Sequence, residues 1–180
     1  MIYALGALAL IAIILISLYN KLARQKVLVD EATADIETFL KQRYDMIPNL
    51  VETVKGYAKH EKETFVELTE MRSKAMSAEG FEAKADLENK ISQAVTKIFA
   101  VAENYPELKA DKNFLDLQQN LKGMEDNIQK SRRFYNGAVR DFNTMIAVFP
   151  ANLIAGVLGF KAMPFFEATE EEKKNVEVKF

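Results

Sequence analysis

The sequence predicts an all-α protein: an amino-terminal transmembrane helix continuing into an elongated antiparallel helical bundle of three long helices, closed by a short carboxy-terminal helix. Three observations predict it. From Ile2 to Leu18 the chain reads IYALGALALIAIILISL, without a charged side chain, and Lys21, Arg24 and Lys26 follow. Between Phe114 and Phe149 an apolar side chain recurs every seven residues. The 180 residues include only 4 prolines and 7 glycines, and most of these fall between long stretches of helical periodicity.

As a helix, Ile2 to Tyr19 reaches roughly 27 Å, close to the ~30 Å hydrocarbon core of a bilayer. Tyr3 and Tyr19 stand at its ends, where aromatic belts form. A cleaved signal peptide would carry its positive charge before the apolar run and a small-residue site after it. Here the charges come after, and ISLYNKLARQ offers no such site. A buried hairpin helix rarely lacks polar residues for so long. The basic excess after the span predicts a single-pass protein of the cell membrane, with a short amino terminus outside and the carboxy-terminal domain in the cytoplasm. The expected division is an anchor over 1–20, a bundle over 21–166 and a charged tail over 167–180.

The next pattern runs from about Val27 to Met76, with Ile36, Leu40, Ile47, Val51, Val54, Phe65 and Leu68 at helical steps. Nothing between Leu18 and Val27 interrupts it, so anchor and first helix are expected to be continuous. Pro48 removes one hydrogen bond and clashes a turn back, which predicts a kink there or a break over Asp45–Asn49. Ser77–Gly80 reads as a loop, and Glu82–Glu103 as a second helix with Leu87, Ile91, Ala94, Val95, Ile98 and Ala102 on one face. Asn104–Pro106 ends it. In the third helix Phe114, Leu121, Ile128, Tyr135, Phe142 and Phe149 form a heptad seam, beside Leu117, Met124, Ala138 and Met145, as in a coiled coil. Pro150 closes it.

Residues 151–166, ANLIAGVLGFKAMPFF, are apolar apart from Asn152 and Lys161, and too short to span a bilayer. Core packing ranks first for them, then contact with a partner or second copy, then membrane contact; the contact residues are Leu153, Ile154, Val157, Leu158, Phe160, Phe165 and Phe166. On a three-stroke path, with the first helix unbroken to Met76, residue 150 would lie far from the anchor.

Glu125, Arg132, Asn136 and Asn143 make a polar band beside the heptad seam, and Arg43, Glu61 and Glu103 could face it from other helices. A hydrogen-bonded network that sets helix register is the first reading; a ligand or ion site inside the bundle is the second. Other chemistries are poorly supported. With Cys 0, thiolate catalysis, cysteine zinc sites and disulfides are excluded. A single histidine, His60, cannot supply a di-iron bundle, and its charged neighbours make it a solvated surface residue. A net charge of −2 with scattered basic residues argues against nucleic acid. No nucleophile motif or phosphate loop is present, so no catalytic residue, metal or cofactor is expected.

RYDMIPNLVETVKGYAKHEKE (Arg43 to Glu63), AVAENYPELKADKNFLDLQ (Ala100 to Gln118), RRFYNGAVRDFN (Arg132 to Asn143) and FPANLIAGVLGFKAMPFFEA (Phe149 to Ala168) together resemble the LemA family. The likeness runs end to end and is weakest over Ala75–Asp86. It implies a bacterial membrane protein with a short anchor, a helical cytoplasmic bundle and a phenylalanine-rich closing turn, but no agreed activity. The family's marked positions fall on Arg43, Tyr44, Pro48, Glu61, Glu103, Tyr105, Pro106, Glu125, Arg132, Tyr135, Asn136 and Asn143.

Three functions follow in order of support. The first is a self-associating, non-enzymatic membrane scaffold, a homo-oligomer in contact with membrane lipid. The second is an adaptor holding a membrane protease, sensor or other protein through residues 151–166. The third is an enzyme or transporter component using the polar band.

Overall fold

The computed structural model describes residues 1–58, 61–78 and 80–166, without the side chains of 81 and 82. His60 and the tail from 167 onward lie outside the described residues. Six helices occur among them: α1 (Ile2–Lys55), α2 (Lys62–Ser77), α3 (Phe81–Ala102), α4 (Pro106–Ala110), α5 (Lys112–Ala147) and α6 (Ala151–Ala155). No strand occurs among the described residues. The expected all-α class is what the chain adopts.

The described residues form two compact units: Met1–Asp35 with Ser131–Phe165, and Ile36–Lys130 with Phe166. In the second unit the helices alternate in direction. Arg72 of α2 reaches Tyr44, while Lys84 and Glu88 of α3 meet Glu37 and Arg43 in ascending order. Helix α5 descends, with Glu125 at Arg43 and Asp111, the residue before α5, at Tyr57. The core is built from the stripes that periodicity marks: Ile36, Leu40, Ile47, Leu50 and Val54 of α1, Phe65 and Leu68 of α2, Ile91 and Ile98 of α3, and Phe114, Leu121 and Ile128 of α5 are all buried. Each such side chain contributes about 1.5–3 kcal/mol relative to exposure.

The first helix breaks later than Pro48 suggests. Helix α1 runs through Pro48 to Lys55, and the reversal falls between Gly56 and Glu61. A proline at position 48 leaves the carbonyl of Tyr44, four residues back, without its helical donor. Arg72 Nε supplies the missing hydrogen bond to Tyr44 O at 2.6 Å. The same bond clips α2 onto α1.

That shifted break changes the chain path. With α2 turning back along α1, the chain makes four strokes where a helix unbroken to Met76 would give three. Within the second unit helix α5 therefore runs antiparallel to α1. Asp111 caps its start, accepting from Phe114 N at 3.0 Å.

In the first unit, Leu22 is the first buried residue of α1, followed by Val29 and Ala32. They pack in a unit with Tyr135, Ala138, Val139 and Phe142 of α5, where Gln25 Nε2 lies 3.5 Å from Ala138 O. Everything before Leu18 is exposed.

Replacing Arg72 with methionine should lower stability by about 1.5–3 kcal/mol, the range for a hydrogen bond from a charged donor. In a Pro48→Ala background the backbone recovers its own donor, so the Arg72→Met penalty should shrink. Thermal unfolding of the four proteins by circular dichroism gives this double-mutant cycle. Equal penalties in both backgrounds would contradict the carbonyl argument.

Candidate functional site

The polar centre of the second unit grows from two adjacent residues of α1. Arg43 is 2% exposed, and its guanidinium meets three partners. Nη1 donates to Glu125 Oε2 at 2.5 Å and to Ser92 Oγ at 2.8 Å, and Nη2 pairs with Glu88 Oε2. Glu88 is fully buried and accepts on its other oxygen from the Tyr44 hydroxyl. Ser92 Oγ donates in turn to Glu125 Oε2 at 3.0 Å. One cation thus faces two carboxylates, with a phenol and a serine hydroxyl completing their coordination.

This cluster floors a groove of about 1260 Å³ between α3 and α5. Its walls mix neutral polar residues such as Asn89, Gln93, Thr96 and Gln118 with apolar Phe99 and Leu115, and Lys97 and Lys122 also line it. Asn89 Nδ2 and Arg43 Nε are buried without a protein partner. Two lone donors suit acceptor oxygens such as those of water. No group of three or more candidate metal-ligating side chains occurs among the described residues.

Of the residues the sequence singles out for the band, Arg43 and Glu125 meet directly. Glu61 precedes α2 without capping it through its side chain, and Glu103 pairs on the surface with Lys109. Arg132, Asn136 and Asn143 belong to the first unit. Arg132 and Asn136 are half-buried there. Asn143 serves the backbone: Nδ2 donates to Met163 O and Oδ1 accepts from Met163 N, both at 2.9 Å. Glu88 completes the Arg43 cluster although the sequence reading passed over it. The signal was present: Glu88, Ile91, Val95, Ile98 and Ala102 follow steps of three and four, which puts a carboxylate in an apolar stripe.

The closing segment is built against the other end of α1. Helical turns from Ala151 end at Gly159, whose φ of 79° only glycine adopts readily. Phe160 N bonds Ala155 O at 2.9 Å and Gly159 N bonds Gly156 O at 3.3 Å, the paired bonds of a Schellman ending. This turn sets Phe160 between Phe142 and Tyr19, each ring centroid 6.2 Å away. Tyr135 donates to Pro164 O at 2.8 Å, fastening the strand of chain that follows. Residue 150 is therefore close to the anchor, contrary to the three-stroke path. Within the segment Ala151, Ala155 and Phe166 are buried, Ile154 and Phe160 half-buried, and Leu153, Val157, Leu158 and Phe165 exposed.

The amino-terminal part of α1 contains an 18-residue window of mean hydropathy 2.5, none of it buried, long and apolar enough to cross a membrane. A sequence profile of the LemA family matches residues 32–180. The chain belongs to the LemA family. Protein LemA of Metamycoplasma hominis is 28% identical over 159 residues, covering 88% of this chain and 73% of that protein. Magnetosome protein MamQ 1 of Paramagnetospirillum magneticum is 24% identical over 189 residues, covering 91% of this chain and 69% of its own length. Magnetosome protein MamQ of Magnetospirillum gryphiswaldense is 22% identical over 191 residues, with 91% and 70% coverage. Of the positions that the resemblance singles out in this LemA chain, Arg43, Tyr44 and Glu125 meet in one cluster. Tyr135 and Asn143 instead hold the closing segment. These positions thus act largely as ties between elements.

Arg43→Met should cost about 3–5 kcal/mol, because it strands the buried Glu88 carboxylate. Adding Glu88→Met should restore most of that loss, since an apolar pair leaves no charge to solvate. Glu125→Gln should cost far less, its side chain being 30% exposed. Chemical unfolding followed by helical circular dichroism ranks the three.

Alkaline stability offers a second check. Burial raises the Tyr135 phenol above 10.0, and the Asp111 charge, chiefly, raises Tyr57. A folded value above the unfolded one means the stabilisation is complete below the unfolded pKa and is lost as pH rises through the folded one. Tyr135→Phe should therefore lower stability near neutrality, by loss of the Pro164 bond, yet weaken the further decline between about pH 9 and pH 11. Unfolding curves at both pH values test it.

Proposed function

We propose that this protein is a non-enzymatic, self-associating scaffold of the cell membrane, spanning it once with its carboxy-terminal domain in the cytoplasm. The observation that carries the reading is the continuity of α1: an exposed, uncharged span and the first bundle helix are one 54-residue element. A rod of that kind, roughly 80 Å at 1.5 Å per residue, ties the position of the bundle to that of the membrane.

Self-association is supported by the span itself. Ala4, Gly6, Ala7, Ala9 and Ala12 are small enough for close helix approach, and a Cβ at Gly6 would meet nothing in the chain. Inside a bilayer such residues let backbones pack where apolar side chains gain nothing over lipid. The Arg43 cluster supports a structural role over a chemical one, because its carboxylates are already engaged by a guanidinium and hydroxyls.

Mass measurement of the full chain in mild detergent should give a multiple of the 20.4 kDa polypeptide. Gly6→Leu should shift the distribution toward single copies while leaving helical circular dichroism unchanged. Single copies at every concentration of the unaltered protein would overturn the scaffold.

A further inference from the structure

We propose that the apolar surface of residues 149–165 is a second membrane contact, seated in the headgroup boundary of the leaflet from which Tyr19 emerges. It rests on the reading of residues 2–20 as a bilayer anchor. To a helix that crosses the membrane it adds a surface that lies in its plane.

The contact between Phe160 and Tyr19 fixes the position. Tyr19 ends the span, at the level where tyrosines meet headgroups, and the Phe160 ring lies beside it. Val157 and Leu158 are within three residues of Phe160, so the chain keeps them within about 11 Å of it. All of these residues belong to one compact unit.

The segment also divides like an interfacial element. Ala151 and Ala155 turn into the protein, while Phe149 at 77%, Leu153 at 65% and Val157 at 87% stay exposed. Large apolar side chains left exposed at steps of four, as Phe149, Leu153 and Val157 are, point to a contact. Interfacial elements sink their apolar face about 5–10 Å into the boundary between headgroups and acyl chains.

Length and charge choose the occupant. The span of roughly 27 Å falls short of the ~30 Å core, which draws the membrane surface toward residues just beyond Tyr19. Those residues and the patch carry Lys21, Arg24 and Lys161, all exposed. No Asp or Glu occurs in residues 1–29 or 142–166. An apolar surface whose own charge, like those next to the span, is cationic matches a bilayer with anionic headgroups.

The chain contains no tryptophan, so a single introduced one reports its own surroundings. Full-length Val157→Trp and Leu153→Trp chains, with Ile11→Trp and Val66→Trp for comparison, are reconstituted in phosphatidylethanolamine–phosphatidylglycerol vesicles. Each is quenched by lipids brominated at shallow or deep acyl positions and by acrylamide. The expected result is that shallow bromines quench Val157→Trp and Leu153→Trp, and that acrylamide quenches them several-fold less than Val66→Trp. Ile11→Trp should respond to deep bromines. If Ile11→Trp responds but the two patch reporters are as open to acrylamide as Val66→Trp, the second contact is wrong and the anchor stands. If Ile11→Trp does not respond to lipid, the anchor reading fails and takes this inference with it. Patch reporters shielded from acrylamide yet untouched by bromolipid would mean that protein covers the patch, which also overturns the proposal; dependence on protein-to-lipid ratio would identify a second copy.

Discussion

A buried guanidinium must be surrounded by acceptors, and in this protein that requirement organises the second unit. Arg43 is almost wholly buried, and Glu88 and Ser92 of α3 and Glu125 of α5 supply the acceptors at its two terminal nitrogens. Its neighbour Tyr44 extends the tie, with the hydroxyl on Glu88 and the carbonyl on Arg72 of α2. Two consecutive residues thereby bind three other helices to α1. Apolar stripes alone would allow those helices to slide by a turn, whereas a desolvated charge makes each slipped register costly.

Pro48 sits one turn beyond this point and would ordinarily end the helix. The carbonyl it orphans is the one Arg72 occupies, so a local defect becomes the attachment point of α2. The consequence is mechanical: α1 stays a single helix from the apolar span into the bundle. The reversal between the end of α1 at Lys55 and the start of α2 at Lys62 then sets the number of strokes and the direction of α5.

The first unit solves a different problem with the same means. Its closing segment has little regular structure, so its backbone groups need side-chain partners. Asn143 takes both the N–H and the carbonyl of Met163, and Tyr135 takes the carbonyl of Pro164. Gly159 permits the left-handed turn that delivers Phe160 to Tyr19. Asn143 and Tyr135 thus satisfy backbone groups of the closing segment.

Periodicity alone specified the all-α class, the heptad face of α5 from Phe114 to Phe142, the apolar span and its continuity with α1, because those properties depend on residues near one another in the chain. The motifs also sufficed for the LemA resemblance. The site was only partly legible: Arg43 and Glu125 stand out as polar residues at helical spacing, but Glu88, a carboxylate within an apolar stripe, was passed over, and Glu103 pairs with Lys109 on the surface. Pairings of that kind depend on which helices become neighbours. The sequence left a kink and a break at Pro48 both open, since the donor that satisfies the Tyr44 carbonyl lies on α2, and it did not mark the reversal after Lys55. From that one tertiary hydrogen bond and the reversal after Lys55 follow the four-stroke path and the return of Phe160 to Tyr19. No local pattern encodes these, because they arise from long-range satisfaction of buried polar groups.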